Sequence, residues 1–213
     1  MNRIFKCFAV LVAAMGVAAS ASASAVTVTA SAINQTTSSV AGVTTVTFDD
    51  GTCAGYASCT GDFAIVSGSA SGLYATPYTD TTQYLSVPNP SQTTQTAVLG
   101  LGTTANYFGL YWGSIDTYNI ISFFLGNTLV ASYGGADLPS LLADGNQTSW
   151  TSNRYINFEF GSAAFDTVKI ISHGYAFESD NHAFRKTAVP EPMTLVLMGL
   201  GLFGLVAVRR RKA

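Results

Sequence analysis

Histidine is almost missing from these 213 residues: His173 and His182 are the only two. A Ser–His–Asp triad needs one of them beside a nucleophilic serine, and the chain contains no Gly-x-Ser-x-Gly elbow to present that serine. Cysteine is nearly as rare. Cys7 lies close to the start, and only Cys53 and Cys59 fall in the body of the chain, without a C-x-x-C motif and without a neighbouring histidine. A redox pair or a zinc site is therefore unsupported. Lysine and glutamate, the usual material of exposed helix faces, are scarce, and no segment of 26–187 sustains a 3.6-residue apolar period. Positive charge is thin too. Between residues 26 and 187 stand only Arg154, Lys169, Arg185 and Lys186 against eleven Asp and Glu, a net charge of −7 where the whole chain carries −2. So acidic a body argues against nucleic acid or an anionic lipid surface as partner, and is compatible with divalent cations.

What is present in quantity is Thr, Ser, Gly, Val, Tyr and Phe, the residues of strands and turns. Alternation is plain in Tyr155–Phe160, where Ile156, Phe158 and Phe160 share one face and Tyr155, Asn157 and Glu159 the other. Val28, Val46 with Phe48, and Val168 with Ile170 follow the same habit. Gly126-Asn127-Thr128 joins Ile120–Leu125 to Leu129–Tyr133 as a hairpin. Tyr107–Trp112 reads as a buried central strand with Phe108, Leu110 and Trp112 inward. Leu138–Ala143, with Pro139 near its start, is the one candidate for a short helix. About ten short strands in about 160 residues predict an all-β domain, a two-sheet β-sandwich of jelly-roll type.

The two ends differ from this body. Arg3 and Lys6 precede the apolar run Cys7–Val17 and the small-residue stretch Ala19–Ala25, which together predict a signal peptide over 1–25, removed by signal peptidase. Export would place Cys53 and Cys59 in an oxidising compartment, where the pair predicts a disulfide closing a small loop. At the other end, Val189-Pro190-Glu191-Pro192 leads into Met193–Val208, which carries no charge, and then Arg209-Arg210-Arg211-Lys212. The prolines bias the chain to an extended form, the apolar run suits lipid, and the basic cluster stays cytoplasmic as a membrane stop. At about 1.5 Å per residue the run gives about 24 Å of helix against a hydrocarbon core of about 30 Å, short for a permanent span. On its own physics it is either a short anchor or a sorting signal.

This tail resembles the PEP-CTERM signal of exosortase-dependent bacterial surface proteins, from Val189 through Thr194 and the glycine-rich apolar stretch to the basic end. The body is similar to the ectodomains of a family of such proteins in Asn106–Asn119, containing Tyr107–Asp116 (YFGLYWGSID), and in Ile171–Phe184, containing Ala176–Phe184 (AFESDNHAF). Val66–Ser69 and Tyr74 extend the likeness. The resemblance implies export through the inner membrane of a Gram-negative bacterium and a precursor anchored by a single hydrophobic helix. It further implies processing by an exosortase and delivery to the cell surface or an exopolysaccharide-rich matrix. It carries no catalytic residue. The expected organisation is a signal peptide (1–25), a β-sandwich ectodomain (26–187) and a sorting signal (188–213).

The reading this favours is a non-enzymatic surface or biofilm-matrix protein. A carbohydrate-binding module is the alternative, with Tyr107 and Tyr111 as rings on the outer face of their strand that stack on sugars. A secreted glycoside hydrolase is the distant third, because nothing selects a pair among eleven carboxylates. No cofactor is required. A structural Ca²⁺ site would form from Asp49, Asp50, Glu178, Asp180 and Asn181 if the first and last strands paired; otherwise these groups cap turns and face solvent.

Overall fold

The computed structural model describes residues 25–91 and 95–187. Eleven strands follow in chain order: β1 (Thr27–Ala30), β2 (Thr44–Val46), β3 (Ser58–Gly61), β4 (Ala64–Ser67), β5 (Gln83–Val87), β6 (Thr96–Gly113), β7 (Asn119–Leu125), β8 (Thr128–Gly134), β9 (Arg154–Glu159), β10 (Phe165–Ser172) and β11 (Phe177–Lys186). Every strand pairing is antiparallel, and all eleven strands join in one ladder.

That ladder becomes two layers at β6. Its first half, Thr96–Gly100, lies between β3 and β10, and β10 continues to β7 and β8. Its second half, Tyr107–Gly113, lies between β9 and β11. There β1 extends β9, while β11 continues to β5 and β4. The inward positions shift in step with the crossing. Leu99 and Leu101 are buried in the first half, Phe108, Leu110 and Trp112 in the second, so the parity of the core face reverses between them. Gly102 makes that reversal possible. It has φ +69°, and a Cβ there would stand 2.6 Å from the Ala57 methyl, so only glycine fits both the backbone and the space.

Phenylalanines fill the space between the layers. Phe123 of β7 meets Phe108 and Phe158 of the opposite layer at 5.7 and 5.0 Å between ring centroids, and Phe160 and Phe165 at 4.9 and 5.1 Å. Trp112 stacks on Phe177 at 4.2 Å. The β-sandwich anticipated from the alternation is the fold that forms, including the β7–β8 hairpin and the buried strand around Phe108. Cys53 and Cys59 are bonded, tying the loop before β3 to the second residue of that strand.

Two local expectations are corrected. Leu138–Ala143 is not a helix: a single 3₁₀ turn forms earlier, at Gly135–Asp137, closed by Asp137 accepting the Gly134 N–H at 2.7 Å. Ser140 takes φ +61°, which no helix tolerates. The first strand pairs with β9, not with the last strand.

Candidate functional site

At one end of the sandwich the loops between β4 and β5, β6 and β7, β8 and β9, and β10 and β11 enclose a cleft of about 460 Å³. Its wall is largely polar. Ser69 and Tyr74 come from the first loop, Asp116 from the second, Gln147 from the third and Tyr175 from the last, with Glu178 at the start of β11. Tyr175 is 41 % exposed at the rim, unusual in a chain that buries most of its large rings.

Asn153, fully buried, holds three of these segments in place. Its Oδ1 accepts the N–H groups of Ser114 and Tyr78 at 2.8 and 3.0 Å, and its Nδ2 donates to the Asn146 and Ser149 carbonyls at 2.6 and 2.9 Å. Asn119 and Tyr118 secure the other wall by donating to the carbonyls of Ala176 and Tyr175 at 3.2 and 2.8 Å. Gly145, with φ +67°, comes so close to Asp116 that a Cβ would meet its Oδ1 at 2.6 Å. Burial pushes the Asp116 carboxyl up. Nothing in the sequence marks Asn153: it lies in a polar stretch between two turns, and its four partners come from three separate loops.

Glu178 forms part of the floor and is 1 % exposed. Oε1 accepts the Ala75 N–H and Oε2 is bonded to the Ser114 hydroxyl, both at 2.7 Å. Burial outweighs both bonds and raises its carboxyl to about 8. At neutral pH the group is largely a neutral acid whose two oxygens are already engaged inside the fold.

The tyrosines expected to stack on sugars lie elsewhere, and they are covered. Tyr107 and Tyr111 do point to the outer face of β6, but their exposures are 1 % and 0 %. The Tyr107 hydroxyl is bonded to Ser38 and to Asn157 Oδ1, both at 2.7 Å, with the Arg185 guanidinium over its ring. Tyr111 donates to the Tyr78 carbonyl and packs against Trp150. Alternation placed these rings on the correct face. It could not show that the segments around Ser38, Tyr78 and Trp150 fold back over that face.

The five residues of the calcium set do not converge as one group, although β2, the strand that leads to Asp49-Asp50, does pair with the last strand. Asp50 is spent on its own turn, its Oδ1 accepting from the Thr52 N–H and hydroxyl at 2.9 and 2.7 Å. Glu178 is bonded in the cleft floor, and Asn181 donates its amide to Asp180 Oδ2 at 2.9 Å. Among the described residues, no group of three or more His, Cys, Asp or Glu is arranged around a metal position. Asp49 and Asp180 do approach one another, through β2 pairing with β11.

Neither histidine lines the cleft. His182 is fully buried between Tyr56 and Ser179, at 2.8 and 2.9 Å, and burial lowers it to about 3, so it stays neutral. His173 is bonded to Gln95 at 3.2 Å. Among the described residues no helix is long and apolar enough to cross a membrane. The segments read as a signal peptide, the processing motif Val189–Pro192, the run 193–208 and the stop Arg209–Lys212 lie outside the described residues, apart from Ala25.

No curated protein and no solved structure matches the chain. The tail, however, does match a known signal. Residues 188–212 are a PEP-CTERM protein-sorting motif, and the chain therefore carries the signature of an exported bacterial surface protein that is targeted to an exosortase from a membrane-anchored precursor.

Proposed function

We propose that this protein is a non-enzymatic component of the exopolysaccharide matrix or outer surface, and that the cleft bounded by Tyr74, Asp116 and Tyr175 is where it holds glycan. The observation that carries this reading is the exposed Tyr175 ring at the rim of a polar cleft. A planar ring offers its face to sugar C–H groups, while Asp116, Gln147 and Ser69 supply hydrogen bonds to hydroxyls. The body's negative charge suits a neutral or cation-bridged polysaccharide better than a nucleic acid. Binding is favoured over hydrolysis because both oxygens of Glu178 are bonded to the protein and not turned to a substrate.

In this reading signal peptidase removes the first 25 residues, the basic tail holds the precursor in the inner membrane, and an exosortase cuts near Pro190–Pro192 to release the domain to the matrix. Mass spectrometry of the protein from its host should find a C-terminus near Pro192. Recovery only of chains ending at Ala213 in the inner membrane would refute the release.

Glycan binding is tested on arrays of bacterial exopolysaccharide fragments. Replacing one stacking ring costs about 1–2 kcal/mol, so Tyr175→Ala should weaken binding about five- to thirtyfold. Tyr111→Ala, whose ring is covered, would be expected to act through folding alone. Retention of full affinity by Tyr175→Ala would remove the cleft from consideration.

A further inference from the structure

Away from the cleft, β11 carries a second acidic position whose chemistry is unresolved by the fold. Its pairing with β6 breaks between Asp180 and Ala183, at the point where its other neighbour changes from β5 to β2. Into that gap come the chain after β2, bearing Asp49, and the turn before β5, bearing Asp80. Asp80 lies within hydrogen-bonding reach of Asp180, and Asp49 lies close enough to act on it electrostatically.

The bonding of the two carboxylates leaves one oxygen of each over. Asp80 Oδ1 accepts from the Thr82 N–H and hydroxyl at 2.9 and 2.7 Å. Asp180 Oδ2 accepts from the Asn181 amide. Asp80 Oδ2 and Asp180 Oδ1 are buried and have no hydrogen-bond donor, although Asp180 is 1 % exposed. A buried, unpartnered carboxylate oxygen costs several kcal/mol unless something positive reaches it. Asp49 and Asp80 are both negative and make the deficit worse.

The backbone is also bent to bring these groups in. Phe48 precedes Asp49, Thr79 precedes Asp80 and Asn181 follows Asp180, and all three take positive φ, +59°, +67° and +50°. Left-handed geometry in a Phe and a β-branched Thr is unfavourable by about 1 kcal/mol or more each. A cavity of about 310 Å³, lined in part by Thr79, Asp80, Thr82 and Asn181, adjoins the pair on the Asp80 side.

We infer that Asp80 and Asp180 form a divalent-cation site suited to Ca²⁺, with Asp49 adding negative charge from outside the pair, built into the bulge where β11 passes from β5 to β2. The donors are all oxygen, which selects a hard cation. Two carboxylates on separate turns, completed by carbonyls and water, match the loose coordination of Ca²⁺ better than the strict octahedron of Mg²⁺. One proton shared by the pair is the competing solution, and it would leave two of the three charges in place. The inference stands independently of glycan binding in the cleft.

Thermal melting of the full-length chain in detergent micelles, first stripped with chelator, tests the site. With an affinity in the range of extracellular calcium modules, 10 mM CaCl₂ should raise Tm by about 5 °C. NaCl of equal ionic strength should not. Asp180→Asn should abolish the calcium-dependent rise without lowering Tm in chelator, since the amide can donate to the Asp80 carboxylate in place of the shared proton. Asp80→Asn, at a less buried position, should do the same and decides the matter if the first variant fails to fold. No calcium-dependent rise in the unaltered chain would overturn the inference in favour of the shared proton. So would a full rise retained in the variants, or an equal rise with NaCl.

Discussion

Phe123→Ala is expected to destabilise the domain by about 4 kcal/mol and to lower its melting temperature by about 10 °C. Phe123 is fully buried and touches Phe108, Phe158, Phe160 and Phe165, drawn from both layers of the sandwich. Truncation removes the transfer energy of the ring. It also leaves a void that the neighbouring rings cannot close, because each is fixed by its own strand. The adjacent residue provides an internal comparison. Phe124 points to the other face, is half-buried, and lies under the Lys169 ammonium at 4.4 Å. Its replacement by alanine should cost about 1 kcal/mol or less. Chemical denaturation of the two variants measures the difference. Equal losses would mean that Phe123 is not the contact between layers that its position indicates.

The contrast between Phe123 and Phe124 is what a sequence conveys well, since period-2 alternation tells which side of a strand a residue occupies. It placed Ile156, Phe158, Phe160, Phe108, Leu110 and Trp112 in the core and located the β7–β8 turn. It could not show that β6 continues through Gly100-Leu101-Gly102 as one strand, because two glycines in three residues read as a break. The reversal of parity at that point has no one-dimensional signature. Burial of the outer face was equally hidden. Tyr107 and Tyr111 are covered by segments about 70 and 35 positions away, and their covering depends on tertiary placement, not on local pattern. The cleft shows the same limit, since Ser114, Asn119 and Asn153 become its organisers only when separate loops meet. The sorting signal was legible in full, because its physics is contained in one contiguous stretch.

Buried acids give the protein an expected pH response of unusual direction: its stability should fall as pH rises from about 6.5 to 8. Burial raises Glu178 from 4.5 to about 8. Across that interval the folded protein holds a proton that the unfolded chain has released, so each pH unit lowers stability by about 1.4 kcal/mol per such group. The contribution is complete below the unfolded value and lost as pH passes through the folded one. Asp180, raised from 3.8 to about 8 by burial and by Asp80 and Asp49, adds a second proton of the same sign in chelator. His182 works the other way, favouring the fold as pH rises between about 3 and 6.5, so it offsets the acids only below that interval. The charge acting on Glu178 is that of Asp116, also negative, while Ser114 and the Ala75 N–H are neutral partners. Glu178→Gln separates the contributions. The amide retains an oxygen for the Ala75 N–H and sets its NH₂ beside the Ser114 hydroxyl oxygen, which can turn to accept from it, but it cannot titrate. Urea denaturation between pH 6.5 and 8 in chelator should therefore show a slope reduced by one proton in this variant and stability at pH 8 above that of the unaltered chain. Glu178→Ala removes the same proton but strands a buried N–H and hydroxyl, so it should lie about 3 kcal/mol below Glu178→Gln at every pH. An unchanged slope in Glu178→Gln would mean that the floor of the cleft is ionised at neutral pH, and would reopen the case for Glu178 as a group that acts on a bound glycan.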